Sequence, residues 1–379
     1  MYKIGRFILL LFMPIFLSQC TSDVQVQNTF HIRVKGIQKQ LIPDPAMDLL
    51  QVELKKENRT WVLQGYTTLL AAREAVTELT DSLLGMSHYI NRFTLLPDPA
   101  LRDSTFGITK LSVAPVRKEP KHRSEMVDQV ILGSTVQLLL QKKGWYLIKT
   151  EYGYMGWSSN YSFQRTDSKG LNLWKREPRV RVKALWGEVL EQPNENALPL
   201  SDLVLNATLH LVRSSKEWTQ VTLPNGQNGY VRSTILTPYT GPIPIEEVKS
   251  SAIIHTARRL LGIPYLWGGN SSKGSDCSGF TQTVFKAHGI QLPRDARQQA
   301  LLGKQIVPDP HFSNVLPGDL LFFGSQGRIT HVGMSLGGYA FIHQDSEVHI
   351  DSFDPKAPNF NAFRLKHLRK IMRILKYKE

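Results

Sequence analysis

The stretch GSDCSGF, Gly274 to Phe280, carries one of only two cysteines in 379 residues. A cysteine attacks as its thiolate, and a free pKa of ~8.5 leaves little of that form at neutral pH unless something lowers it. In SDCSGFTQTVFKAHG the apolar residues Phe280, Val284 and Phe285 recur at helical spacing, with Ser275 or Asp276 placed to cap. Cys277 is thereby predicted in the first turn of a helix, where peptide N–H groups and the macrodipole favour an anion and should lower the thiol pKa. A base must stand close by. His331 lies in THVGMSL, where strand alternation sends His331, Gly333 and Ser335 to one face and Val332, Met334 and Leu336 to the other. His343 follows in AFIHQD, after a Gly337-Gly338 hairpin signal, and adjacent antiparallel strands bring two imidazoles within hydrogen-bond reach. Thiol, base and an orienting third group are the parts that cysteine hydrolysis of amides uses. A zinc site made from Cys277, His331 and His343 would satisfy ligand chemistry, but no Cys-x-x-Cys or His-Glu-x-x-His accompanies them, so neither metal nor cofactor is expected. His288, His311 and His349 fall in no pattern and read as surface or structural residues.

The other cysteine has a different context. Lys3 and Arg6 precede the apolar run FILLLFMPIFL, Phe7 to Leu17, which is shorter than the ~20 residues of a membrane span and reads as an export signal. It ends in LSQC, which resembles a bacterial lipoprotein signal, with Gln19 standing where that pattern prefers a small residue. The resemblance implies a lipoprotein-type signal over residues 1–20, with Cys20 acylated and left as the mature N-terminus, and a membrane-anchored lipoprotein facing the periplasm. A lipidated Cys20 cannot pair with Cys277, which leaves Cys277 as a nucleophile candidate.

The elements that must position these residues fall into four units. Residues 21–110 read as a small α+β unit in the order strand, strand, helix, strand: LLQVEL, TWVLQGYT, a helix from Leu70 to about Leu84, and HYINRFTLLP. Then comes an internal repeat. The segment starting at Ile131 aligns without gaps to the one starting at Val204, matching Trp145 to Trp218 and Trp157 to Tyr230. Each copy has short alternating strands around a tryptophan, which suits a small β-barrel. The pattern resembles bacterial SH3-like domains, at 111–168 and 175–240. Trp145 and Trp218 read as barrel core, and Tyr154 and Trp157 as a surface platform. After the Pro-rich linker TPYTGPIPIEE, residues 246–379 read as helices followed by an antiparallel sheet built from DLLFFG, HVGMSLG, YAFIHQD and EVHIDSF, an α+β arrangement.

With these motifs assembled, a family likeness stands out. PYLWGG, DCSGF, GDLLFF, HVGM and FIH occur in the order and spacing of the NlpC/p60 cysteine peptidases. The resemblance implies a papain-like fold over the last unit, with Cys277 as nucleophile, His331 as general base and His343 as the orienting residue. Two SH3-like modules ahead of the peptidase resemble the γ-D-glutamyl-L-diamino acid endopeptidases, also called dipeptidyl-peptidase VI, which cut murein stem peptides bearing a free N-terminal L-Ala. That likeness implies that Asp276 and Asp295 help bind the alanine ammonium, that Ser278 holds the peptide backbone, and that Tyr154 closes the cleft, with Glu125 or Asp128 as the first module's acidic contact. A free α-amine buried at the end of a short cleft does require carboxylates.

A net charge of +14 is compatible with nucleic acid, but the basic residues are scattered, with no basic helix and no RNA-binding signature. The expected partners are peptidoglycan stem peptides and, through the N-terminal lipid, a membrane; nucleic acid is not expected, and the chain is expected to act as a monomer. Two rivals remain: a non-catalytic peptidoglycan-binding adaptor, and a murein endopeptidase or amidase cutting a different bond.

Overall fold

The computed structural model describes residues 14–241 and 243–376, with side chains from residue 22 onward. The expected signal segment therefore lies outside the described residues except for the backbone of residues 14–20, and so does the side chain of Cys20. The described chain forms two units, one ending at Ala100 and one beginning at Leu101.

In the first unit a helix absent from the sequence reading, α1 (Pro14–Leu41), is followed by β1 (Leu50–Glu57), β2 (Thr60–Thr67), α2 (Leu70–Leu84) and β3 (Tyr89–Leu95). β2 pairs antiparallel with β1 and parallel with β3, so α2 is the crossover that a parallel pair requires. Phe30 and Val34 of α1 join Leu54, Leu63, Val76 and Phe93 in one core. No helix among the described residues is long and apolar enough to cross a membrane.

The second unit opens with β4 (Phe106–Thr109), β5 (Val113–Arg117), β6 (Met126–Ile131), β7 (Thr135–Lys142), β8 (Trp145–Thr150), β9 (Met155–Ser159) and β10 (Phe163–Thr166), a sheet in the order β10-β4-β7-β8-β9-β5-β6. The expected boundary at residue 110 is corrected here: Phe106–Thr109 pairs with both β10 and β7, because its backbone groups need ladder partners that the first unit does not offer. After α3 (Ser168–Arg176), the second module contains β11 (Arg179–Val182), β12 (Trp186–Leu190), β13 (Pro199–Val204), β14 (Thr208–Ser214), β15 (Trp218–Thr222), β16 (Asn228–Arg232) and β17 (Leu236–Tyr239). The repeat carries through to register. Trp145 faces Ser159 as Trp218 faces Arg232, and Leu147 faces Trp157 as Gln220 faces Tyr230.

The four aromatic assignments fare unevenly. Trp145 is buried, but Trp218 is only half-buried and lies under the Arg232 guanidinium, 4.2 Å from its ring centroid. Tyr154 and Trp157 are no surface platform: both are 8% exposed, because other parts of the unit cover this face. The two modules are fused at Gly133, whose φ of +80° suits glycine and whose missing Cβ leaves room for the Thr208 carbonyl.

The last module holds α4 (Ser250–Arg259), β18 (Asn270–Ser271), β19 (Gly274–Ser275), α5 (Cys277–Lys286), α6 (Ala296–Gln299), β20 (Lys304–Ile306), β21 (Leu320–Ser325), β22 (Arg328–Gly337), β23 (Ala340–Gln344), β24 (Val348–Ser352), α7 (Ala362–His367) and β25 (Leu368–Arg373). Its sheet runs β20-β25-β21-β22-β23-β24, every neighbouring pair antiparallel. One face packs Val332, Met334, Leu320 and Phe322 against Phe280, Val284 and Phe285 of α5; the other buries Phe323, Phe341 and Phe353. The whole is the mixed α+β fold read from the sequence.

Candidate active site

Asp276 is the N-cap of α5, accepting from the Gly279 N–H at 2.8 Å, so Cys277 opens the helix as the spacing implied. The Cys277 thiol is 8% exposed and accepts hydrogen bonds from the backbone N–H groups of Val332 and Ser278. It therefore lies against β22 beside the residue that follows His331. The expected low thiol pKa is not found. Burial, and then the neighbouring Asp276 carboxylate, push the thiol up to about 11 despite the two N–H groups and Arg294. The cap that starts the helix brings in a negative charge that works against the helix N-terminus.

On β22 and β23 the pairing of Gly333 with His343 sets the imidazoles diagonally across the ladder. A Cβ at 333 would stand 3.0 Å from the His343 Cβ, so this glycine makes room for the second ring. His331 Nε2 lies 3.0 Å from His343 Nδ1, and His343 Nε2 lies 3.0 Å from Asp351 Oδ2. Hydrogen-bond donors fix the tautomers. The Asp351 carboxyl is held down at about 2: hydrogen bonds from His343 and Asn361 outweigh its desolvation, so it only accepts. His343 then donates from Nε2 and accepts at Nδ1 from His331 Nε2–H. Burial lowers the pKa of both rings, so neutral His331 keeps its lone pair on Nδ1.

Asp351 was missed in the sequence, although EVHIDSF places His349 and Asp351 on one strand face. So was Arg294. It is 2% exposed and donates from Nη2 to Asp276 Oδ2 at 2.6 Å, from Nη1 to Asp276 Oδ1 at 3.0 Å and from Nε to Asp128 Oδ1 at 2.7 Å. Asp128 is wholly buried and also accepts from Asn270 and Tyr152; burial pushes its carboxyl up to about 6 against the pull of the guanidinium. Ser278 donates to Asp276 Oδ1 at 3.1 Å and accepts from Arg294 Nη1 at 3.0 Å.

Arg294, Asp276 and Ser278 line a cleft of about 380 Å³ whose walls also include Cys277, Asp295, Tyr154 and Glu125. Asp295 caps α6, pairs with Arg297 at 2.9 Å and accepts from the Tyr154 phenol, whose pKa rises through burial and then through that carboxylate. Of the two acidic candidates in the first module, Glu125 lines the cleft, where it accepts from Trp267 Nε1 at 3.0 Å, and Asp128 lies behind Arg294. Trp267, 61% exposed at the rim, was also not foreseen.

The NlpC/P60 family model matches residues 262–366, and the bacterial SH3 domain model matches residues 112–164. A dipeptidyl-peptidase 6 of Lysinibacillus sphaericus is 30% identical over 250 residues, 63% of this chain and 89% of that one. The chain belongs to the NlpC/P60 family. It is thereby a member of a hydrolase family of peptidoglycan cysteine peptidases. Proteins named γ-D-glutamyl-L-lysine dipeptidyl-peptidase from Bacillus cereus and Bacillus subtilis are 31% and 32% identical, over 58% and 57% of this chain and 67% and 71% of theirs. The crystal structure of an NlpC/P60 family protein from Bacillus cereus, 24% identical, covers 72% of this chain and 100% of its own with a TM-score of 0.63, which shows the shared fold.

Proposed function

We propose that this chain hydrolyses the γ-D-glutamyl–diamino acid bond of murein-derived peptides that carry a free N-terminal L-Ala. The observation that carries the reading is the charge of the cleft beside the thiol: the carboxylates of Asp276, Asp295 and Glu125 against the guanidiniums of Arg294 and Arg297 leave negative charge in excess, with Asp128 buried behind Arg294. Asp276 already accepts five hydrogen bonds, so it contributes charge, and direct contact falls to Asp295 and Glu125. Tyr154, from the first SH3-like module, narrows the cleft beside them. The names of the relatives favour the same bond.

In this reading Cys277 Sγ attacks the γ-carbonyl while His331 Nδ1 takes its proton, so the thiolate forms during attack and is not stored beforehand. The imidazolium is steadied through His343 by Asp351, and the oxyanion lies at the start of α5, where helix N–H groups and dipole oppose its charge. His331 returns the proton to the leaving amine, and water resolves the thioester. We also propose a lipid tether at Cys20 on the periplasmic side of a membrane; Cys20→Ser should release the protein from the membrane fraction.

The test is digestion of L-Ala-γ-D-Glu-diaminopimelate, free and N-acetylated, read by mass. Release of L-Ala-D-Glu from the free peptide alone is expected. Equal cleavage of the acetylated peptide, or residual turnover by Cys277→Ala, would overturn the proposal.

A further inference from the structure

His349 lies outside the thiol, imidazole and carboxylate relay, yet it stands directly opposite His343 across the β23 and β24 ladder. Its Nδ1 is 3.0 Å from the Glu347 carbonyl, to which it can only donate. That bond assigns the lone pair of the neutral ring to Nε2, which faces Asp351 Oδ2 at 3.5 Å. A lone pair aimed at a carboxylate is repelled, a conflict that either a proton on Nε2 or a metal cation between the two atoms relieves. His343 Nε2 is 3.0 Å from the same oxygen, and all three atoms lie within 4.8 Å of one another. With metal–nitrogen distances of ~2.0–2.1 Å, tetrahedral zinc holds its ligands ~3.3–3.4 Å apart, a spacing that the two contacts to Asp351 bracket. The side chains of His349 and Asp351 are 30% and 13% exposed, which gives an ion a route in, while the His343 side chain is fully buried.

We infer that His343 Nε2, His349 Nε2 and Asp351 Oδ2 form a binding site for one zinc-class transition-metal ion, and that filling it switches the peptidase off. The inhibitory part rests on His331 being the general base; the binding part does not. A metal on His343 Nε2 displaces the proton there to solvent. To stay neutral, His343 must carry its proton on Nδ1, which it takes from His331 Nε2. His331 regains one proton from solvent, at Nδ1. Both rings end neutral with no net proton gained or lost, and the lone pair that would receive the thiol proton is gone. The ion thus acts through tautomers, without touching sulfur.

Titration of ZnCl2 into the full chain bearing Cys277→Ala, followed by calorimetry, tests binding with the thiol removed. One equivalent is expected to bind, at least about tenfold more weakly when His349→Ala or His349→Gln is added. No binding, or the same affinity in all three proteins, overturns the site; His349→Gln guards against a folding defect by keeping a polar side chain of similar reach. In the enzyme with its thiol intact, zinc should lower turnover, and the ratio of inhibited to uninhibited rate should move toward one in His349→Gln. Binding that depends on His349 without such a change in that ratio would retain the site and refute the tautomer switch. A chain that binds zinc through His349 but cleaves no murein peptide would refute the substrate reading alone.

Discussion

Arg294 grips Asp276 with both Nη atoms, at 2.6 and 3.0 Å, while its Nε holds Asp128 at 2.7 Å, so one guanidinium ties the cap of the Cys277 helix to the first SH3-like module. Breaking a buried pair leaves uncompensated charge, which costs about 3–5 kcal/mol. Arg294→Met strands two buried carboxylates at once and is expected to destabilise the second unit by at least that amount, measured by urea unfolding. Arg294→Lys keeps the charge but not the fork, and should recover part of the loss. Equal stability of both variants with the parent would mean that the pairing is not structural.

Tyr154→Phe removes the phenol that donates to Asp295 and leaves the ring in the wall of the cleft. If Asp295 receives the substrate ammonium, the freed carboxylate turns toward Arg297 and binding weakens. KM for the free tripeptide should rise by about threefold to tenfold, the range of one hydrogen bond, with kcat changed much less. A loss confined to kcat would place Tyr154 in the chemical step instead.

The pH behaviour follows from burial. A thiol pushed up to about 11 reacts with iodoacetamide at a rate that keeps climbing through pH 9 and 10, where an activated thiolate would already have reached its plateau. Stability moves with the imidazoles. The folded pKa values of His331 and His343 are lowered, so above about 6.5 both states are neutral and nothing is lost. Below that, the unfolded chain takes up protons that the folded one refuses, and stability falls. Asp351 adds a second loss as pH drops from about 4 toward its folded value of about 2. Unfolding midpoints should therefore decline from about pH 6.5 downward, and His343→Gln should flatten the first part of that decline.

Much of this was legible because local pattern and tertiary demand agree. Cys277 opens α5 because Asp276 caps it, and His343 meets His331 because the hairpin signalled by Gly337-Gly338 joins β22 to β23, closing on the Gly337–Ala340 pair, with a bulge between Ser335 and Gly337 setting the register. What stayed hidden depends on distant partners. Arg294 reads as one more surface base until Asp128, far away in sequence, is packed against it. The height of the thiol pKa could not be foreseen either, since the helix start that favours an anion is visible in sequence whereas the burial that opposes it is not. Tyr154 and Trp157 looked exposed because a lone barrel would expose them. Helix α1 escaped notice because its apolar residues Phe30 and Val34 are sparse among polar ones, and the helix gains its support from β1 and α2.

Gly333 offers the sharpest test of the relay. A methyl group at this position would reach within 3.0 Å of the His343 Cβ, in a strand where every residue from His331 to Ser335 is buried, so something must give. Overpacking of this kind costs about 1–3 kcal/mol. The ring of His343 is the mobile partner, and its displacement lengthens the bond to His331 Nε2. Gly333→Ala should therefore lower kcat by about tenfold to a hundredfold with KM nearly unchanged, the scale on which loss of an orienting contact acts. Asp351→Asn, which releases the other end of His343, should fall in the same range or below it, and the double variant should be no worse than the poorer single one, since both act through one imidazole. Additive losses in that cycle would show that the two residues work separately, and that His343 is not the link between them.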